Sequence, residues 1–586
     1  MASITLSKLS KFISSYTCHP APPRPNTSIP FMVFDSSLPI LKASPSPFNI
    51  HSWETLLSQY PGPLPLTLAG ILQYGCQIGY QGPQQLVLSK NLKSSMLHPS
   101  TIKAKLLDDL QLGRVLSTSS DFPFISSPLG LVAKGDGGFR RIHHLSHPRG
   151  TSVNDFIPDD ASKISYTSIK DIYAAILDAG CHCTIIKKDI ADAFRNIPIA
   201  IDNQWLLGFE WEKQFYKEAC LPFGLATAPF LFNLFAEGFH WMLQSWLRWT
   251  VLHYLDDFIR VIPQHQATLS FLQQAETEYH ILTSLLGVPE NKKKDAIGTV
   301  VTVLGIQIDT NTFEARLSPE KLAKALRLTT IGLLKSKMSL FDIQSISGFL
   351  SWCAEVVRLG KIYLHHLWVF MSAFPPTAAS NYLLPVPYNV RLDLAWWNTL
   401  LPSFNGIYLF QEQRSEVLLY TDASQRGLGA YYLDTTVTGP PRRSHSFSMR
   451  IARDHLGQHI NILELRAIQA AFLTWGHAWA KQTIVIHTDS EVAFSALTNN
   501  KAHGLAFYPL RHILLVASQY DIILKPKWIA GKTNLIADAL SRFNWNSLAN
   551  LCPTWQFPYD LTPFPHGFKD LSPPLLKHGR CSSGTA

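Results

Sequence analysis

No run of about 18 apolar residues occurs in these 586 residues, so the sequence offers no membrane-spanning helix and no membrane partner. Cysteine is scarce as well. Eight are scattered at positions 18, 76, 181, 183, 220, 353, 552 and 581, with no CxxC pair. That pattern argues against a disulfide scaffold and reads as a reduced, intracellular protein, with cytoplasm and nucleus both open. Cys181-His182-Cys183 has metal-like composition, but its spacing is too short and it has no second half, so it reads as the start of a strand. The first residues carry Lys8 and Lys11 but no signal-peptide apolar region. There are no internal repeats. Neither charge sign dominates: 51 Lys+Arg stand against 42 Asp+Glu, a net +9. Such an excess suits a polyanionic partner without identifying one.

What is present is apolar residue, 46% of the chain, enough for several buried cores. At roughly 100–200 residues per domain, the length predicts about three to five domains or subdomains. Residues 1–50 read as a mostly disordered Pro/Ser-rich leader, and 51–120 as an N-terminal extension. Within the latter, Ile102, Leu106, Leu107, Leu110 and Val115 fall near a helical period. Gly135-Asp136-Gly137-Gly138 between 129–134 and 139–145 is a hairpin signal. The pattern predicts helices over 167–178, 226–246 and 266–286, and strands over 183–189, 205–210, 251–254 and 258–262. Two thumb-like helices follow in 316–374, then a Pro-rich connection or linker over 375–416. From 417 to 545 the order is strand, Gly-rich turn, strand, helix, strand, helix, strand, helix. Residues 546–586 read as a loosely ordered tail.

Two adjacent carboxylates, Asp256 and Asp257, sit between the apolar runs 251–254 and 258–262. On a tight turn they cannot both be buried without a cation, because each ion costs several kcal/mol to desolvate. Mg²⁺, with Mn²⁺ as an alternative, removes that problem. A third ligand would come from Asp189, which ends the strand-like run beginning at Thr184. Two such ions, about 3.5–4 Å apart, can activate a primer 3′-hydroxyl and stabilise leaving pyrophosphate. Alone, such a pair on a hairpin is usually a solvated turn; its context decides otherwise.

That context resembles the reverse transcriptases of retroelements, over residues 127–541. Lys188-Asp189-Ile190-Ala191-Asp192-Ala193-Phe194-Arg195-Asn196-Ile197-Pro198-Ile199 looks like the first catalytic-aspartate segment. Leu221-Pro222-Phe223-Gly224-Leu225-Ala226-Thr227-Ala228-Pro229 looks like the LPxG segment beneath the incoming nucleotide. Tyr254-Leu255-Asp256-Asp257 looks like the YxDD box, and Val303-Leu304-Gly305-Ile306 like the primer grip. The resemblance implies an α+β right-hand polymerase with fingers and palm over 121–315. It implies metal ligation by Asp189 and Asp256, with Asp257 in the same cluster. Phe194 would lie under the sugar and exclude a 2′-hydroxyl, beside Phe223 and Gly224. Lys134 and Arg140, flanking the Gly-rich turn, would hold the triphosphate. One of Lys292, Lys293 and Lys294 would protonate pyrophosphate. Phe223 stands where retroviral enzymes often carry Gln, which bears on subfamily rather than function.

A second acidic series follows. Asp422 ends the strand-like run from Leu418, with Gly427 and Gly429 permitting a tight turn after it. Glu464 begins an amphipathic helix, Asp489 ends another strand, and Asp538 lies on a last helix. Acids at strand ends and on helices, aimed at one point, make a second Mg²⁺ cage. The series resembles RNase H, which implies an α/β domain with a mixed central sheet and hydrolysis of the RNA strand of RNA–DNA hybrids. The segment Trp528-Ile529-Ala530-Gly531-Lys532 lacks the His often found before the last acid. The expected partners are an RNA template, a DNA primer, RNA–DNA hybrid and dNTPs; oligomeric state stays open. A domesticated nucleic-acid-binding protein without turnover is the alternative, and a nuclease with a structural polymerase half is a third reading. The strings Arg140-Arg141-Ile142-His143-His144-Leu145-Ser146 and Ser152-Val153-Asn154-Asp155 look like elements of the DIRS type, with the gypsy type as the other choice. No protease or integrase signature is found, so the chain reads as a product or fragment of a larger element, or a degenerate copy of one.

Overall fold

Short strands and amphipathic helices dictated by these patterns build two units, divided between Glu314 and Ala315. The structure, a computed structural model, describes residues 2–24, 32–40, 46–133, 137–357, 359–375, 381–409, 414–437 and 443–555. Lys134 lies outside the described residues, as do Gly135 and Asp136 of the Gly-rich turn beside it.

In the first unit, one sheet carries the strands Ala296–Gly298, Thr184–Asp189, Asp257–Ile262 and Val251–Tyr254, in that order. All its pairings are antiparallel. Behind it runs the helix Ala228–Leu247, buried along most of its length. Its sequence is apolar nearly all round, as a helix enclosed in a core must be. A second sheet orders Leu86–Leu88, Phe124–Ser126, Gly208–Trp211, Gln214–Glu218 and Val115–Thr118. The hairpin Leu129–Ala133 with Phe139–His143 stands as a separate two-stranded sheet. The predicted strand at 205–210 is a 3-10 turn, Ile201–Leu207, followed by a strand Gly208–Trp211.

The leader over 1–50 is corrected. Its described residues include the helix Ala2–Ser15, and Leu9, Phe12, Val33 and Phe48 are buried in the same core as the long helix. Proline and serine dominate the composition there, but a few spaced apolar residues supply enough contact to dock the segment.

The second unit begins with the helices Pro319–Leu334 and Leu340–Cys353. The latter starts at a capping box formed by Ser339 and Asp342. The linker reading of 375–416 is also corrected, for it contains a 17-residue helix, Tyr388–Phe404. Val390, Leu394, Trp397 and Leu401 form its buried stripe, at the spacing a helix requires. The prolines before it masked that stripe. Asp393, fully buried, pairs with Arg511 at 2.8 Å and His366 at 2.9 Å.

The remaining sheet orders Ser446–Arg450, Gly427–Asp434, Glu416–Ala423, Thr483–Thr488 and Ile523–Trp528. Its first two pairings are antiparallel and its last two parallel. The strand Ser446–Arg450 was missed by the pattern reading. Gly427 and Gly429 lie within a strand rather than in a turn. A Cβ on Gly429 would stand 2.4 Å from the backbone nitrogen of Ser541, so glycine lets the helix Leu535–Ser541 approach. The tail reading fails at its start: the helix Trp545–Leu551 buries Leu548 against Leu540 and Tyr431. Residues 556–586 lie outside the described residues. No described helix is long and apolar enough to cross a membrane.

Candidate active sites

The first site is built by strand register. Asp189 is directly paired across the sheet with Asp257, and Asp257 with Tyr254. Leu255 and Asp256 are therefore the two-residue tip of a hairpin. Leu255 takes φ +52°, a left-handed conformation that costs a branched side chain about 1–2 kcal/mol. The amide of Ile190 donates to the carbonyl of Asp256 at 3.0 Å, which clamps the tip to the Asp189 strand.

Asp189 is buried. Its Oδ1 accepts from Asn291 Nδ2 at 2.7 Å and its Oδ2 from Lys294 Nζ at 2.9 Å. Lys294, of the three consecutive lysines, is thus the one brought to the acids. Burial and then the neighbouring Asp189 raise the Asp256 carboxyl above its ordinary range, against Lys294 and Arg140. Burial pushes Asp257 up to about 6, with Lys187 opposing and the two other acids adding. The buried Oδ1 of Asp257 has no hydrogen-bond donor, only the Lys187 ammonium at 3.4 Å. Three clustered acids, two of them held above their usual range and one with a donorless oxygen, fit a hard divalent cation.

Beside the acids, Phe194 stacks obliquely on Phe223, ring centres 5.3 Å apart. The guanidinium of Arg140 lies 4.5 Å over the opposite partner, the Phe223 ring. Gly224 has φ +122°, and a Cβ there would fall 1.9 Å from the carbonyl oxygen of His143. Only glycine lets this segment cross the strand that carries Arg140. The amide of His143 donates to the carbonyl of Phe223 at 2.9 Å, completing the crossing. Further along, Leu304 and Gly305 both have positive φ and form the tip between Val300–Val303 and Ile306–Asp309. A two-residue tip with both residues left-handed is a type I′ turn.

The second site gathers three acids. One oxygen each from Asp422, Glu464 and Asp489 lies within 4.8 Å of the others. Asp422, next to the end of its strand, accepts from the Ser541 hydroxyl at 2.6 Å. Glu464 sits on the helix Ile460–Trp475; its Oε1 accepts from the Ala423 amide at 3.2 Å. Its Oε2 is buried with no donor at all. Burial, then the other acids, push Glu464 up to about 9, and burial pushes Asp422 up to about 7. Asp489 is raised too, first by burial. An orphaned carboxylate oxygen facing two more carboxylates again fits a divalent cation. Asp538 stands outside this group of three. Its Oδ1 pairs with Arg542 Nε at 2.6 Å. In the segment without His, the Trp528 indole donates to the carbonyl of Asp489 at 3.2 Å.

Pattern reading missed Asn291, which precedes the three lysines, and Ser541 and Arg542, which follow Asp538; only that adjacency signals them. The pattern metal-like at 181–183 is structural: Cys181 reaches the carbonyls of Thr310 and Asn311, and His182 the side chain of Asn311.

Residues 138–308 match the model of the family described as reverse transcriptase (RNA-dependent DNA polymerase). The chain is 21% identical, over 380 residues, to the enzymatic polyprotein of Cassava vein mosaic virus. That match covers 61% of this chain and 52% of the relative, so the chain spans about half its length. Among solved structures, the foamy viral protease-reverse transcriptase dRH in complex with double-stranded DNA is similar. It is 17% identical with a TM-score of 0.43, over 88% of this chain and 84% of that one. The foamy viral protease-reverse transcriptase in complex with RNA/DNA hybrid is 18% identical with a TM-score of 0.42, over 88% and 65%. The four motif blocks quoted above all fall inside 138–308, and the chain carries a reverse transcriptase domain of the retroelement kind.

Proposed function

We propose that this chain extends a DNA primer with dNTPs on an RNA template, and that its second unit hydrolyses the RNA of the resulting hybrid. The observation that carries the first part is the register that sets Asp189 against Asp257 with Asp256 at the clamped tip. Asp189, Asp256 and Asp257 hold the metal ions in this reading; Asp422, Glu464, Asp489 and Asp538 hold them in the second site. Bound Mg²⁺ would supply the positive charge that activates the attacking oxygen and neutralises the leaving group. Arg140 holds the triphosphate, with Lys134 assigned the same task from sequence alone. Lys294 sits where it can pass a proton to departing pyrophosphate, while Asn291 orients Asp189. The RNase H part rests on the three converging acids and on the mixed sheet with its antiparallel start and parallel end.

The test is dTTP incorporation on poly(rA)/oligo(dT) with Mg²⁺. Folded protein that binds the hybrid but incorporates nothing belongs to the non-catalytic alternative. Hybrid cleavage without synthesis belongs to the nuclease-only reading.

Phe194 is assigned the sugar check. Its ring is braced by Phe223 and by Phe232 at 5.8 Å, so it cannot swing away from a 2′-hydroxyl. Phe194→Val opens that space. The expected result is rUTP incorporation raised by about 100-fold relative to dTTP, the scale of a relieved steric clash of ~3 kcal/mol. Unchanged selectivity in a single-nucleotide assay would reject the role.

The raised carboxyls of the second site predict a pH-dependent response to cation. A carboxyl whose folded value exceeds its unfolded one stabilises below the ordinary carboxyl range, and loses that contribution as pH rises through the folded value. For Asp422 and Glu464 that loss runs up through about 7 and about 9. With EDTA, the melting temperature of this unit should fall from about pH 5 to about pH 9. Mg²⁺ should restore it most at the alkaline end, where protons no longer compete. A Mg²⁺ shift of equal size across that range in scanning fluorimetry would contradict this.

A further inference from the structure

A closed ring of four charges, Glu218 and Arg195 buried and Arg141 and Asp109 half-buried, includes none of the acids of either cluster. Glu218 ends the strand Gln214–Glu218 and is fully buried. Its Oε1 accepts from Arg141 Nη1 at 2.9 Å, and its Oε2 from Arg195 Nη1 at 2.7 Å. Asp109, from the helix Pro99–Gln111, closes the ring. It lies 2.6 Å from Arg141 Nη2 and 3.3 Å from Arg195 Nη2. Two cations and two anions balance, which is what lets such charges stay buried. His143, 3.7 Å from Glu218, adds no charge: burial pushes its imidazole down to about 4.

The chain neighbours of the two arginines give the ring its meaning. Arg141 follows Arg140 on one strand, so alternation turns one side chain into the ring and the other away from it. Arg195 follows Phe194 in the turn Ala193–Asn196. One carboxylate therefore grips the neighbour of the triphosphate cation and the neighbour of the sugar-checking ring. We propose that Glu218 is a positioning residue that sets Arg140 and Phe194 relative to each other, and thereby the selection of nucleoside triphosphates. The inference rests on the polymerase reading of the first site.

Without the Glu218 charge, two guanidinium groups share one remaining acid and separate, carrying their neighbours with them. Misplaced binding groups weaken nucleotide capture and blur the sugar check, whereas simple loss of stability reduces the active fraction and so kcat alone. Glu218→Gln should raise the KM for dTTP about tenfold, with kcat within about threefold. Discrimination against rUTP should fall about tenfold, while primer–template affinity stays within about twofold. Glu218→Asp, which keeps the charge, should recover most of both. Asp109→Asn, on the edge of the ring, should shift KM and selectivity the same way by a smaller amount; it carries the test where circular dichroism shows Glu218→Gln unfolded. A wild-type chain that incorporates no dTTP overturns the polymerase reading and this inference with it. A wild-type chain that synthesises, beside a folded Glu218 or Asp109 variant with unchanged KM and selectivity, overturns this inference alone.

Discussion

Asp256→Asn should abolish dTTP incorporation while leaving hybrid cleavage intact. The exchange is nearly isosteric, so the hairpin keeps its shape and its clamp, in which the Asp256 carbonyl accepts from the Ile190 amide. What changes is charge. A neutral amide cannot serve a metal pair as a carboxylate does, and its NH₂ presents donors to cations. Removing one ligand charge from the reacting centre should cost at least about 1,000-fold in rate, equivalent to ~4 kcal/mol of transition-state stabilisation. The proposed cleavage is assigned to acids in the other unit, so it should persist within about twofold, since changes at distant independent sites do not couple. The paired measurement is primer extension and cleavage of a labelled hybrid by one preparation. Loss of both activities in a folded variant would mean that the two acidic sets do not work separately.

The mirror experiment is Asp489→Asn. Here hybrid cleavage should fall at least about 1,000-fold and synthesis should continue. Asp489 is the least buried of the three converging acids, so its replacement disturbs packing least. Removing a charge from an acid-only cluster also relieves repulsion, as Glu464 and Asp422 are raised partly by their neighbours. The apoprotein should accordingly melt slightly higher, while its Mg²⁺-induced stabilisation shrinks. Retained cleavage would show that the three acids are not the seat of hydrolysis. A lower melting temperature in EDTA would contradict the electrostatic account.

Local patterns made much of this legible. The acidic pair, the two strand-end acids and the glutamate on its helix all lie in runs whose period is readable over a few residues. The two apolar runs put the pair Asp256–Asp257 on a hairpin tip; the tip is Leu255–Asp256, and Asp257 already belongs to the strand. Which lysine meets Asp189 was not readable, because three consecutive lysines differ only in the direction a turn gives them; the answer, Lys294, depends on the chain between Asn291 and Asp295. The docking of Phe12 was hidden for a similar reason: Trp246, whose ring it meets at 5.8 Å, lies far along the chain. The helix Tyr388–Phe404 was overlooked because prolines at its approach outweighed its stripe. The ring around Glu218 left no local trace, since an isolated Glu, an Asp and two Args are ordinary residues until four distant segments meet.

The Asp393–Arg511 pair has a consequence for how this protein could change by genetic exchange. The helix Tyr388–Phe404 supplies the acid, and the helix Phe507–Gln519 the guanidinium, both in the interior. A recombination joint placed between 405 and 415 would look neutral, because it cuts no strand of the five-stranded sheet that starts at Glu416. Yet a foreign segment without an arginine at that spot would leave Asp393 with His366 alone, a loss on the order of 3–5 kcal/mol. The pair therefore ties the five-stranded sheet's segment to the helix Tyr388–Phe404, and a joint that preserves it lies upstream of Tyr388.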